Sequence, residues 1–461
     1  MATPSPGLRT VQRTLERVAV FGVFVHALFL PISMAGMQIG LACSAGALVA
    51  LRMTGRRVWA RSALDLPCLL LCGAAVVSLG LGALAGSPPV GWHEATLWRS
   101  ILAPIVVLSA LEVAGRGAAV DRGPAPASDG DAREVQRLAV VALGVWAAAS
   151  LVPSALAWAQ YWTGFDPLYA LGLRREPVHA IVPVFPGRYA AVGFFRWYQR
   201  LAHNLLPPLC LAAAVALRAH PSSPRAAGTG VGRPLRVLLA FASLAAAAAI
   251  VLTLSRMAWA SLVLAGLVLA VLGAPKRTRR WAVAVVLAGS FAMTLHPGVR
   301  TRLANLAQPG INHDREDIWR ICRAVVEKYP LTGVGWGNLP RRTAAYYDLV
   351  PYPLPRAWCH DSFFSAWAEG GPLLFAALVA FWALLLRAFW RLRRSSGEPI
   401  PWAAATGALA GILAMLASSL THDILYSSEA MYGLGFALAI ASALARNGRS
   451  ATPSSACDRA P

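Results

Sequence analysis

His360, Arg256 and Arg315 are the residues whose type and setting point to chemistry. An imidazole titrates near neutrality and can take the proton of a hydroxyl. Guanidinium groups grip carboxylate or phosphate oxygens through paired bonds. His360 opens a short predicted helix that carries Phe364 and Trp367 on its face and stops at Gly370-Gly371. Asp361 is placed either to fix the imidazole tautomer or to cap that helix. Arg256 is the single formal charge between Val237 and Gly273. An ionisable group inside so apolar a run marks a functional position unless its side chain snorkels to the headgroups.

Arg315 belongs to an amphipathic helix predicted over Asp314–Lys328, begun by Asn312 or Asp314 and stopped before Pro330. Steps of three and four residues put Glu316, Arg320, Arg323 and Glu327 on a solvated face. They put Arg315 with Trp319, Cys322 and Val326 on the apolar side, where a guanidinium is costly unless it meets an anion. That anion is either a carboxylate of the chain or a ligand. Arg188 and Arg196, just before the sixth apolar segment, are further anion-binding candidates, whereas Arg99 opens the fourth as an interfacial anchor. Asp314, Glu316 and Asp317 read as cation ligands or, equally, as charges at a helix N-terminus. No phosphate-cradling glycine loop or serine elbow is present.

The elements that must position these residues are long and apolar. Of 461 residues 57% are hydrophobic and 14% charged, and the mean hydropathy is +0.54. Globular chains carry about 25% charged residues, so the composition is that of an all-α polytopic membrane protein. A crossing takes about 20 apolar residues. Val18–Leu51 is too long for one and breaks at Pro31 and Gly36; Val237–Gly273 breaks near Ser255-Arg256. Eight further runs, at Leu66–Ala85, Leu97–Gly115, Leu138–Gln160, Leu201–Leu217, Trp281–Leu295, Pro372–Trp390, Pro401–Leu420 and Met431–Ala445, bring the expectation to 12 spans. The first is read as an uncleaved span.

Of 42 Lys and Arg residues, 26 fall in alternate segments that begin with the N-terminus, which makes both termini (1–17 and 446–461) cytoplasmic. The net charge of +21 is therefore topological, and it gives no reason to expect nucleic acid. Two external segments, 161–200 and 296–371, are long and hold 5 and 9 basic residues, so chemistry is expected there. They separate spans over 18–295 from spans over 372–445. The cytoplasmic stretches 115–137 and 220–234 read as linkers. No internal repeat suggests a transporter of two related halves, although a glycan transporter and a non-catalytic assembly protein remain alternatives.

Three stretches resemble the O-antigen ligase and O-antigen polymerase superfamily. They are Arg315-Glu316-Asp317-Ile318-Trp319, Tyr329-Pro330-Leu331-Thr332-Gly333-Val334-Gly335-Trp336-Gly337-Asn338, and His360-Asp361-Ser362-Phe363-Phe364 with Glu369-Gly370-Gly371. Thr253-Leu254-Ser255-Arg256 is similar to the family's Ser-Arg hairpin. The resemblance implies a GT-C-like bundle in the bacterial inner membrane with its site on the periplasmic face. It implies transfer of a glycan from undecaprenyl diphosphate to a lipid A core or another glycan, without a metal or other cofactor. His360 would be catalytic and Arg256 and Arg315 would bind the donor diphosphate with help from Arg188 and Arg196, while Asp361, Trp319 and Glu369 support them. Cys359 and Asp361 flank the histidine where many members have a His-x-His-Asn run. Tyr346, Tyr347, Tyr352 and Trp358 are candidates to stack on sugars, or else belong to an interfacial belt. Cys322 and Cys359 both lie outside, where an oxidising compartment permits a disulfide.

Overall fold

Apolar runs too long for one crossing fold back where a side chain can take over the backbone bonds of a new helix. The computed structural model describes residues 5–59, 61–87, 90, 98–117, 129–174, 187–218, 231–304, 313–349 and 358–446. The first run breaks between α1 (Pro6–Phe29) and α2 (Met34–Met53), and the Ser33 hydroxyl accepts the Gly36 N–H at 3.3 Å to start α2. The second breaks between α7 (Arg233–Leu252) and α8 (Arg256–Val268, extended by a π-helical turn to Gly273). There Ser255 caps α8 by accepting the Ala258 N–H. Between these hairpins come α3 (Asp65–Leu84), α4 (Arg99–Gly117), α5 (Asp129–Thr163) and α6 (Tyr198–Arg218). After them come α9 (Arg279–Leu295), α10 (Pro297–Ala304), α11 (His313–Lys328), α12 (Ser362–Ser395), α13 (Pro399–Ser419) and α14 (Ser428–Leu444).

Each of the twelve expected spans falls on a helix. By length and composition, however, eight described helices can cross a membrane, or nine if the sharply bent pair α9 and α10 is one span. The shortfall has physical causes. Helix α1 spends its first three turns on Arg9, Arg13, Glu16 and Arg17, α4 carries Glu112 and Arg116, and α14 is only 17 residues long. The expected linker 115–137 is also corrected, because α4 runs to Gly117 and α5 starts at Asp129, with acidic residues where the helix dipole favours them. The rest of that linker and most of 220–234 lie outside the described residues, as do residues 1–4 and 447–461.

Helices α6, α13 and α14 form the buried centre, while α9 has no buried residue and α3 and α7 expose Leu84, Phe241 and Leu244. An outer surface this apolar suits a multi-pass membrane protein.

The Gly-rich stretch 331–338 is folded against two helices. Val334 and Gly335 donate N–H bonds to the Ala368 and Glu369 carbonyls, at 3.0 and 2.7 Å. The Glu369 carboxylate, fully buried, accepts the N–H groups of Gly337 and Leu339 at 2.9 and 3.1 Å. On the other side, Gly82 of α3 comes so close that a Cβ there would stand 2.4 Å from the Gly335 Cα. Helix α12 kinks at Gly371, which has φ 59° and ψ −155°, and a Cβ on it would meet the Leu331 carbonyl oxygen at 2.1 Å. Gly371→Ala combines that clash with a left-handed backbone, so it should cost roughly 2–4 kcal/mol and lower the melting temperature of the purified protein.

Candidate active site

The candidate site forms where the N-terminal ends of α6, α8, α11 and α12 meet the turn between α13 and α14. Its residues come from local devices that fix each backbone. His360 is held from both sides. Before it, Cys359 is bonded to Cys322 of α11 (Cα–Cα 6.0 Å), its carbonyl accepts the Trp319 indole N–H at 2.9 Å, and its N–H donates to Ser365 Oγ at 3.1 Å. After it, Asp361 caps α12 by accepting the N–H groups of Phe363 and Phe364 at 2.8 and 2.9 Å. Of the two roles open to Asp361, the geometry selects the cap.

The partner of His360 is Asp423, from the turn after α13. One carboxylate oxygen accepts the His360 backbone N–H at 2.8 Å and lies 3.6 Å from Nδ1; the other accepts the Ser365 hydroxyl at 2.5 Å. This leaves Nε2 free on a side chain that is 46% exposed. Burial, and then the Arg315 charge, lower the His360 pKa below its ordinary value, so the ring is neutral at pH 7. Burial pushes Asp423 up to about 7. Next to it His422 is held well below the ordinary imidazole value, by burial first and with Arg315 and Arg256 adding to the effect. Its ring meets His203 edge-on at 5.3 Å.

The cations gather on the same spot. Arg256 lies within electrostatic reach of Arg315, Arg302 and Tyr198, and Arg315 also feels Tyr198 and Asp423. Burial lowers the Arg315 pKa first, and Tyr198 and Asp423 only partly offset it. Among the described residues neither Arg256 nor Arg315 forms a salt bridge with a carboxylate, unlike Arg174 with Asp166 or Arg200 with Glu429 nearby. The N-terminus of α8 adds its partial positive charge beside Arg256. Like charges held together this way favour an anion between them.

Backbone strain is concentrated here as well. Leu254 (φ 53°) and His360 (φ 55°) are the two non-glycine residues with positive φ among those described. Each costs on the order of 1–2 kcal/mol. One lies two residues before Arg256, and the other is the candidate base.

Other expectations divide. On α11 the face Glu316, Arg320, Arg323 and Glu327 is exposed and Arg315 turns inward, as the periodicity requires. Asp317 pairs with Arg320 at 3.0 Å, and no described group of His, Cys, Asp or Glu is arranged to hold a metal ion. Glu369 supports the site from a distance, through the Gly-rich stretch. Arg188 stacks on Trp162 at 4.2 Å, near Tyr161, whose hydroxyl bonds to His296 Nε2 at 3.0 Å. Exposed Arg196 sits 5.9 Å from the Trp197 ring centre. Trp358 stacks on Tyr426 at 4.1 Å and Tyr346 packs against the α11 core, so both are used in packing. The side chains of Tyr347 and Tyr352 lie outside the described residues.

Sequence reasoning missed Tyr198, Arg302, His422 and Asp423. The turn at Thr421-His422-Asp423 did carry a signal, since it places titratable side chains between two apolar runs on the side assigned to His360. The disulfide closes a loop with a sequence separation of 37, worth about 4 kcal/mol by chain entropy. Cys322→Ser should therefore lower thermal stability by about that amount and speed proteolysis between α11 and His360; unchanged cleavage after reduction would show that the crosslink does not hold the base.

Comparison with known proteins follows this geometry. No curated protein matches the chain. Residues 241–379 match the family model described as O-Antigen ligase, and this stretch, which holds Arg256, Arg302, Arg315 and His360, carries the pattern of the O-antigen ligase and polymerase superfamily.

Proposed function

We propose that this membrane protein transfers a glycan from a polyprenyl diphosphate, undecaprenyl diphosphate in bacteria, to an acceptor hydroxyl at the outer face of the inner membrane. The observation that carries the reading is the group of buried-edge arginines without carboxylate partners, set beside a neutral histidine that a buried aspartate orients. A diphosphate at the membrane surface is the anion such a group suits, and the apolar helix faces suit a polyprenyl tail.

The acceptor oxygen attacks C1 of the donor sugar while its proton moves to Nε2 of His360. The bond between C1 and the diphosphate oxygen breaks, and its electron pair stays on the leaving group. Arg256 and Arg315, with Arg302 behind them, stabilise the charge that develops there. Asp423 faces Nδ1, which fixes the tautomer and stabilises the imidazolium formed by proton transfer. A single displacement of this kind inverts the sugar carbon. The acceptor is a saccharide of the lipid A core for a ligase, or another lipid-linked glycan for a polymerase; the same chemistry serves both.

In a transfer assay with a lipid diphosphate-linked glycan, His360→Ala should lose about 10²–10⁴-fold in rate and Arg315→Ala on the order of 10²–10³-fold. Wild-type rates in both variants, with the protein inserted in the membrane, would remove the mechanism. The pH profile gives a separate check. Asp423 takes up a proton as pH falls through about 7, and His360 does so below its ordinary value, so acidification removes first the orienting charge and then the base. Activity should decline on the acid side of neutrality, and Asp423→Asn should lower the plateau while flattening the limb near 7.

A further inference from the structure

A second group of arginines lies at the far end of the bundle. Three helices run from the candidate active site to it: α6 from Tyr198 to Arg218, α8 from Arg256 to Gly273, and α12 from Ser362 past Arg393. At 1.5 Å per residue the first two span about 26–30 Å, the thickness of a hydrocarbon core. The two sites therefore face opposite surfaces.

At this end Arg218 and Arg393 both stack on Trp402 of α13, with guanidinium carbons 4.3 and 4.8 Å from a ring centre. Arg218 donates from Nε and Nη2 to the Gly273 carbonyl at 3.1 and 2.8 Å. Arg393 donates to the Leu272 carbonyl at 2.9 Å and to Thr406 Oγ1 at 3.2 Å. These bonds use two of the five N–H donors on each guanidinium. Arg279 and Arg394 lie within electrostatic reach of Arg393, and the Arg279 Nε is buried without a partner. Among the described residues no carboxylate pairs with any of the four, Glu398 at the start of α13 included. A shallow cleft of about 10 Å³ opens beside them, lined by Leu217, Leu269, Ala403 and Thr406 as well as by Arg218 and Trp402.

Four cations face only the partial negative charge of one helix C-terminus, about half an elementary charge. Orientation of the spans accounts for basic residues at this surface, but not for the stacking of Arg218 and Arg393 on one tryptophan, with Arg394 over the neighbouring Trp390 at 5.0 Å. A flat planar cation pinned on an aromatic face presents its free N–H groups in a fixed direction, the arrangement that suits a phosphate. The apolar wall beside it suits an acyl chain.

We propose that the surface these arginines form around Trp402 is a phosphate-binding site which takes the headgroup of an anionic phospholipid from the leaflet opposite the active site. It is independent of the function proposed above. The test compares the full-length protein in phosphatidylcholine nanodiscs with and without phosphatidylglycerol, and measures lipid retained by native mass spectrometry along with the melting temperature. Arg279→Gln/Arg394→Gln, which leaves the backbone bonds of Arg218 and Arg393 in place, should weaken phosphatidylglycerol retention about thirtyfold, roughly a factor of five for each arginine. Arg218→Gln/Arg393→Gln should do at least as much. A rise in melting temperature with phosphatidylglycerol in the wild type, absent from the variants, supports the site. Stabilisation by inorganic phosphate alone, also lost in the variants, would keep the phosphate chemistry but overturn the lipid as its source. Equal retention by the wild type and the folded Arg279→Gln/Arg394→Gln variant would overturn the site.

Discussion

Positive charge held together without a matching carboxylate is the constraint around which this protein is built. Arg256 is repelled by both Arg315 and Arg302, and burial makes Arg315 more costly than it would be in water. The fold keeps Arg256 and Arg315 together because each is fixed by a device of its own. Arg256 follows a capped helix start, Arg315 stands on the inner face of an amphipathic helix, and that helix is crosslinked to the residue before His360. A site held this way needs little rearrangement when an anion arrives, which favours charge stabilisation during reaction over tight binding of a flexible pocket.

The same logic explains why His360 tolerates a left-handed backbone. The disulfide, the Trp319 bond to the Cys359 carbonyl, the Asp361 cap and the Asp423 carboxylate determine the main chain on both sides of one residue. Four constraints on three consecutive residues outweigh a strain on the order of 1–2 kcal/mol. Buried Glu369 has a comparable role further along α12, where its carboxylate collects two N–H groups of the Gly-rich stretch and anchors it to the helix. The motif residues thus divide into those that face the candidate site and those that hold the loop in place.

The helix framework was legible in the sequence because a bilayer asks one simple thing of a chain, an apolar run of sufficient length. Both hairpin breaks fall at the residues whose side chains restart a helix, Ser33 and Ser255. The inward turn of Arg315 was legible for a related reason, since a period of 3.6 decides which residues share a face. The exact number of crossings was not, because α1, α4 and α14 mix short apolar stretches with charges that composition alone does not assign to oil or water.

By itself the sequence determined an all-α membrane bundle, the position of Arg256 at a hairpin tip, and a histidine at the start of a helix, since hydropathy and helical periodicity are local properties. Only the tertiary structure decided that Asp423, 63 residues after His360, is the carboxylate facing the imidazole, and that Asp361 next to it is a cap. It likewise brought in Tyr198, Arg302 and His422. Pair interactions between charged groups depend on distance through space and on burial, and neither quantity is written in the spacing of residues along a chain.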